Sequence, residues 1–203
     1  MKKIVKLQSV AAATGITAIA AFAVVPGAFA ATDSSNTVIN ANIGSTISVT
    51  SGATVTLNVA PTAGGSITTA SDTVTVTTND SNGYTLALST STASTALAGT
   101  PGGSIPASSG TQGAPISLAA NTWGYRVDGQ GGFGAGPTTA VNNAASESHS
   151  WAGVPASGSA DTINTTTGAT SGEATTVWYG LNATTASAGG TYTNTVVYTA
   201  TTR

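Results

Sequence analysis

The chain contains no cysteine, one histidine, one methionine and very little charge of either sign. Without cysteine it has no disulfide framework, no thiolate nucleophile and no cysteine metal site. Its five basic residues are Lys2, Lys3, Lys6, Arg126 and Arg203, so only two lie beyond residue 30. All seven acids lie there too: Asp33, Asp72, Asp80, Asp128, Glu147, Asp161 and Glu173. Two minus seven gives a formal charge of −5 beyond residue 30, thinly spread. Such a surface has no basic stripe for phosphate backbones or anionic lipid, which argues against nucleic-acid and lipid-headgroup binding. The lack of lysine beyond residue 6 excludes Lys–Asn isopeptide cross-links and a sortase-built pilus through its side chains. The closing Ala200–Arg203 carries neither a sorting signal nor an apolar tail, so surface attachment is expected to be non-covalent or through a glycan.

Leu, Ile, Val and Phe are scarce as well, a composition that borders on disorder. Disordered chains, however, combine low hydrophobicity with high charge, and here only 6% of residues are charged. The apolar residues are also arranged in a pattern, so a folded domain is expected.

The first thirty residues stand apart. Lys2, Lys3 and Lys6 precede an apolar stretch from about Val10 to Val25, Pro26-Gly27 breaks it, and Ala28-Phe29-Ala30 supplies a small-x-small site. That is the layout of a cleavable signal peptide, with cleavage expected after Ala30. The stretch is short for the roughly 20 residues of a membrane span, and none of membrane length follows. A secreted or cell-surface location is therefore expected for residues 31–203.

Threonine dominates that portion, with 37 of them. A β-branched side chain suits the pleated, half-exposed face of a sheet. Strand-like segments recur between turn residues: Thr37–Ala41, Ile43–Val49, Thr54–Val59, Thr73–Thr77, Tyr84–Leu88, Trp123–Val127, Thr176–Leu181 and Thr191–Thr201. Asn79-Asp80-Ser81-Asn82-Gly83 is a turn cluster, read as joining Thr73–Thr77 and Tyr84–Leu88 into a hairpin. Residues 91–120 read as a long connection with room for one short strand, and 128–172 as the least regular part. No helical periodicity follows the leader. The pattern predicts a single antiparallel β-sandwich, Ig-like or pilin-like, over about residues 36–202.

Catalytic parts are missing. The only histidine is His149, within Ser146-Glu147-Ser148-His149-Ser150, and adjacency in sequence does not make a triad. No glycine-rich loop precedes a helix, so a phosphate cradle is not expected. Asn79, Asp80 and Asn82 offer oxygens to calcium, but one carboxylate among amides makes a poor cage and a plain turn accounts for them. No catalytic residue, metal or cofactor is assigned. Asn79, Asn164 and Asn182 each sit in an N-x-Ser/Thr sequon, in a chain so rich in threonine that chance explains them.

The aromatics are the most informative side chains. Trp123, Trp151, Trp178 and Tyr179 are candidates for a stacking platform for sugar rings or for a sticky interface, if they are exposed. The competing reading makes them the core of a protein with little other apolar bulk. Trp178 and Tyr179 are adjacent in a strand and must point to opposite faces, so one of them leaves the main core or meets a second layer.

The segments Ser71–Asn79, Gly83-Tyr84-Thr85-Leu86, Asn121–Tyr125, Trp151–Pro155, Val177-Trp178-Tyr179-Gly180 and Gly190–Val196 together resemble a group of Thr-rich exported surface proteins of Saccharibacteria and related candidate-phylum bacteria. The resemblance spans most of the chain beyond the leader. It implies a surface or secreted protein and carries no activity. The chain is also similar, more distantly, to WxL cell-wall-binding domains, which are all-β and hold peptidoglycan non-covalently. Its nearest matches depart from that motif. Trp178-Tyr179-Gly180-Leu181 is one residue too long, and Trp123-Gly124-Tyr125 ends in tyrosine.

The function expected is structural: a coat or filament subunit, or a small adhesin. The alternative is a glycan- or cell-wall-binding module using exposed aromatics. Within the structural reading, Thr37–Ala41 is expected as a short N-terminal strand, behind the lead 31–36, that pairs with an exposed edge on the next subunit. Deleting residues 31–42 is then expected to abolish assembly and leave the domain folded.

Overall fold

A computed structural model of the protein describes residues 32–100 and 102–203. The expected leader and its cleavage site lie outside the described residues. The chain divides at Ala41/Asn42, and all strands belong to residues 42–203. They are β1 (Ile47–Thr50), β2 (Ser66–Thr78), β3 (Tyr84–Thr90), β4 (Leu97–Thr100), β5 (Ser104–Ile105), β6 (Thr122–Val127), β7 (Asp161–Thr165), β8 (Thr170–Ala183), β9 (Thr191–Thr193) and β10 (Val196–Thr202). No helix among the described residues is long and apolar enough to cross a membrane.

The fold is all-β, with three antiparallel sheets: β1-β2-β8-β6, β10-β3-β7 and a small β5-β4-β9. The two larger sheets share one core in the manner of a β-sandwich. Val74, Val76, Tyr125, Val127, Val177 and Tyr179 from the first sheet meet Tyr84, Leu86, Leu88 and Ile163 from the second. Alternation produces this directly, since valines on one face of β2 and Tyr84, Leu86 and Leu88 on one face of β3 are all fully buried.

That arrangement corrects the hairpin. β2 pairs with β1 and β8, while β3 pairs with β10 and β7, so Asn79–Gly83 carries the chain from one sheet to the other. Both strands are apolar on one face, and burying both faces is best served by opposing them. The turn itself forms as its residues suggest. Asp80 accepts from the Asn82 amide at 2.8 Å, and Gly83 takes φ +83° where a Cβ would lie 2.3 Å from the Thr166 carbonyl.

Three further expectations change. Thr37–Ala41 forms no strand, and Val38 and Ile39 are 80% and 83% exposed. A strand exists only with a partner for its amides and carbonyls, and none of the described residues supplies one. Thr54–Val59 runs extended and lays Val55, Leu57 and Val59 against the core, yet makes no ladder. Side chains of β2 intervene instead: Asp72 accepts from the Gly52 amide at 2.8 Å and Thr68 donates to the Asn58 carbonyl at 3.1 Å. Finally, Thr191–Thr201 breaks into β9 and β10, which join different sheets. At the break Asn194 donates to the Ser94 and Ala96 carbonyls and accepts from the Thr195 amide.

Strand β8 holds the middle of the first sheet and buries both faces. Tyr179 enters the main core, while Trp178 enters a second cluster with Ile67, Leu118 and Trp151. This outer layer is built from the connections on either side of β6, residues 106–121 and 128–155, joined to each other by the Ile116–Trp151 bridge and to the sheet by the Tyr125–Ala152 and Ile67–Ala144 bridges. Glycine makes room for it. A Cβ on Gly180 would lie 3.0 Å from the Trp151 ring, and one on its cross-strand partner Gly124 would lie 2.4 Å from the Ala152 carbonyl.

Three polar clasps join the two larger sheets through the core. Tyr125 donates to Asp161 at 2.6 Å, the Tyr179 and Tyr198 hydroxyls pair at 2.7 Å, and Asn164, beside the Tyr84 hydroxyl, donates to Thr175 at 2.9 Å. Burial pushes all four tyrosines above the usual phenol range, helped by Asp161 at Tyr125, by Glu173 at Tyr84 and by Asp72 near the Tyr179–Tyr198 pair. In the unfolded chain they ionise near pH 10. The stability they contribute is therefore complete below about pH 10 and is lost as pH rises above it, because the unfolded state releases its protons first. Thermal unfolding between about pH 9 and 11 should show Tm falling as tyrosinate absorbance appears. Tyr179→Phe, which removes the Tyr179–Tyr198 bond but leaves Asp72 beside the Tyr198 hydroxyl, should cost about 0.5–1.5 kcal/mol at neutral pH.

Candidate interaction surface

The structure buries every candidate aromatic. Trp123, Trp151, Trp178 and Tyr179 are 3%, 0%, 7% and 5% exposed. Trp123 stacks on Tyr179 in the main core, with ring centroids 6.4 Å apart, and donates to the Thr95 carbonyl. Trp151 and Trp178 lie together on the other side of the first sheet. The four thus fall into two clusters separated by a layer of backbone and present no open ring face for a sugar. Their burial follows from the scarcity of other large apolar side chains: the core takes the rings because it has little else.

Charge is used with equal economy. Arg126, on the outer face of β6, is fully buried and donates to the Phe133, Gly134, Ala135 and Ser150 carbonyls at 2.9–3.2 Å. Its guanidinium also lies 5.8 Å from the Phe133 ring centroid. Burial lowers its pKa, opposed by the carboxylates of Glu147 and Asp128. The arginine therefore pins the glycine-rich 128–136 segment to the sheet. Sequence reading missed this role, although a lone arginine at an alternation position between Tyr125 and Val127 was a signal for it.

Glu147 is a second hub. It accepts from the His149 amide and the Trp151 indole, each at 2.9 Å, and pairs with His149 Nδ1. Nε2, the atom a catalytic base would present, abuts Gly136, where a Cβ would lie 2.8 Å away. Among the described residues no serine or threonine hydroxyl bonds the imidazole. The geometry anchors Trp151 and supplies no nucleophile. Asn79, Asn164 and Asn182 all use their side-chain amides internally, on Gly44, Thr175 and Leu118.

Two depressions of about 480 and 590 Å³ adjoin at Pro137–Thr138. Asp128, Gln130, Asn164 and the barely exposed edge of Trp178 line the first, and Thr139, Glu147 and His149 line the second. Neither gathers converging charged groups or an exposed ring.

The edges of the larger sheets are more informative. The β6 edge is covered, because Tyr125 exchanges two backbone bonds with Ala152 and Trp123 bonds Pro106 and Ser108. Gln112 caps the Thr162 carbonyl of β7. Among the described residues, strands β1 and β10 have one neighbour each and approach each other without sharing a ladder. On β10, Val196, Tyr198 and Ala200 face inward opposite Thr90, Leu88 and Leu86 yet are only half-buried. Val49 of β1, opposite the buried Val76, is 39% exposed. Among the described residues the core is thus only partly covered along this seam.

Trp151→Ala and Trp178→Ala should each destabilise the domain by about 3–5 kcal/mol, because they empty core sites. The measurement is thermal unfolding, and the tryptophans of the native protein should resist quenching by iodide. No protein-family model, curated protein or solved structure matches the chain.

Proposed function

We propose that this chain is an exported, non-enzymatic structural protein of the cell surface, a coat or filament subunit or a small adhesin, with an Ig-like or pilin-like sandwich. The observation that carries this reading is that, among the described residues, the edges of β1 and β10 are unpaired and the side chains of β10 that face the core are only half-buried. Unpaired strand edges are templates for pairing with another chain. Soluble proteins commonly protect such edges with lysine, proline or a covering loop, and neither β1 nor β10 contains lysine or proline.

The skin supports the same reading. Threonine hydroxyls wet the surface without charge, so packing copies together desolvates few ions. The leader pattern and the resemblance to exported surface proteins support a location outside the cell. The glycan- or wall-binding alternative rests on Trp123, Trp151, Trp178 and Tyr179, and their burial takes away the ring faces it needs.

The test is the mass distribution of the purified exported chain, by light scattering with negative-stain imaging over a range of concentrations. Ordered oligomers or filaments are expected. They should persist in about 1 M salt, where the screening length is about 3 Å, because few ion pairs hold them. A monomer at every concentration overturns the reading and returns attention to glycan screens.

A further inference from the structure

We propose that residues 37–43 of one copy add to the open edge of β10 in a second copy as an antiparallel strand. The assignment rests on the self-assembly reading above and names the surfaces that assembly uses.

Length and pattern match. Residues 37–43 are seven in number, as is β10, Val196–Thr202. In extended form Thr37, Ile39, Ala41 and Ile43 share one face, while Val38, Asn40 and Asn42 share the other. Ile39 and Ile43 are 83% and 87% exposed, an unusual position for large aliphatics in a chain that has so few. The edge they would meet has the complementary lack: among the described residues β10 pairs on one side alone, and its inward Val196, Tyr198 and Ala200 are only half-buried.

Register follows from size. Full antiparallel overlap sets Ile39 opposite Ala200, Ala41 opposite Tyr198 and Ile43 opposite Val196, so a small residue faces the largest one. Parallel overlap sets Ile39 against Tyr198 and Ala41 against Ala200, crowding one pair and leaving a gap at the other. Cross-strand packing of this kind is what discriminates registers in a sheet.

Reach assigns the strand to a second copy. Strand β1 begins at Ile47 opposite Thr78, and the turn Asn79–Gly83 joins Thr78 to Tyr84, the partner of Thr202. Its start therefore lies at the Thr202 end of β10. The four residue steps from Ile43 to Ile47 span at most about 14 Å, whereas Val196 lies six steps along β10, about 20 Å away. In the antiparallel register a chain cannot place its own Ile43 beside its own Val196. Another copy can.

The absence of cysteine makes a clean test, because any disulfide must come from introduced residues. The exported chain carrying Val38→Cys with Thr201→Cys should form a ladder of disulfide-linked multimers under mild oxidation, collapsing to monomer on reduction. Val38→Cys with Val197→Cys, the pair that parallel overlap would bring together, should form none. Adding Ile39→Asp to the first pair should abolish the ladder while leaving monomer Tm unchanged, since Ile39 is exposed. A ladder from the Val197 pair, or an intrachain disulfide alone, overturns the proposal. Assemblies seen by scattering without a ladder overturn this pairing and leave self-assembly standing; a monomer with no ladder overturns both.

Discussion

The hydrogen bonds that cross the core between the two larger sheets are the interaction on which the rest of this domain depends. Tyr125 to Asp161, Tyr179 to Tyr198 and Asn164 to Thr175 each tie a strand of one sheet to a strand of the other. A sandwich normally relies on interdigitated aliphatics, and secreted domains often add a disulfide. This chain has few of the first and none of the second. Tyrosine fills both needs, because the ring supplies buried area and the hydroxyl supplies a bond of fixed length and direction. The polar partners are then obligatory, since a stranded hydroxyl in the core costs more than the bond contributes.

The same economy explains the outer layer. With β8 buried on both faces, Trp151 and Trp178 need cover, and a connection without regular structure provides it. Such a connection has few ladder bonds of its own, so side chains from the strands hold it. Arg126 gathers four of its carbonyls and Glu147 fixes the Trp151 indole. Gly124 and Gly180 lower the sheet surface where the Trp151 layer rests. Arg126 and Glu147 act as internal fasteners, while threonine makes up much of the skin.

Both habits bear on assembly. An uncharged skin gives little electrostatic repulsion between copies and little desolvation cost on contact. A core built with minimal material has no surplus to cover its last edge, which is why Val196, Tyr198 and Ala200 stay half-buried at β10.

The sequence by itself determined the all-β class and the alternation of side chains within strands, though not every strand: Thr37–Ala41 and Thr54–Val59 form none, and β7 arises in a stretch that read as irregular. Period-2 alternation is a local property, so Val74 and Val76, Tyr84 to Leu88, and the opposed Trp178 and Tyr179 were legible without a structure. Turn chemistry at Asn79–Gly83 was legible for the same reason. Pairing was not: β2 and β3 face each other instead of forming a hairpin, because partner choice depends on which arrangement buries both apolar faces, a property of the whole chain. Exposure of the aromatics was undecidable from sequence, since a tryptophan beside a glycine reads alike at a surface and in a core. Only the fold, by laying the connections before and after β6 over the first sheet, decided that Trp151 and Trp178 are interior. The open seam at β10 is likewise a tertiary fact, because an edge is defined by the strand that does not come.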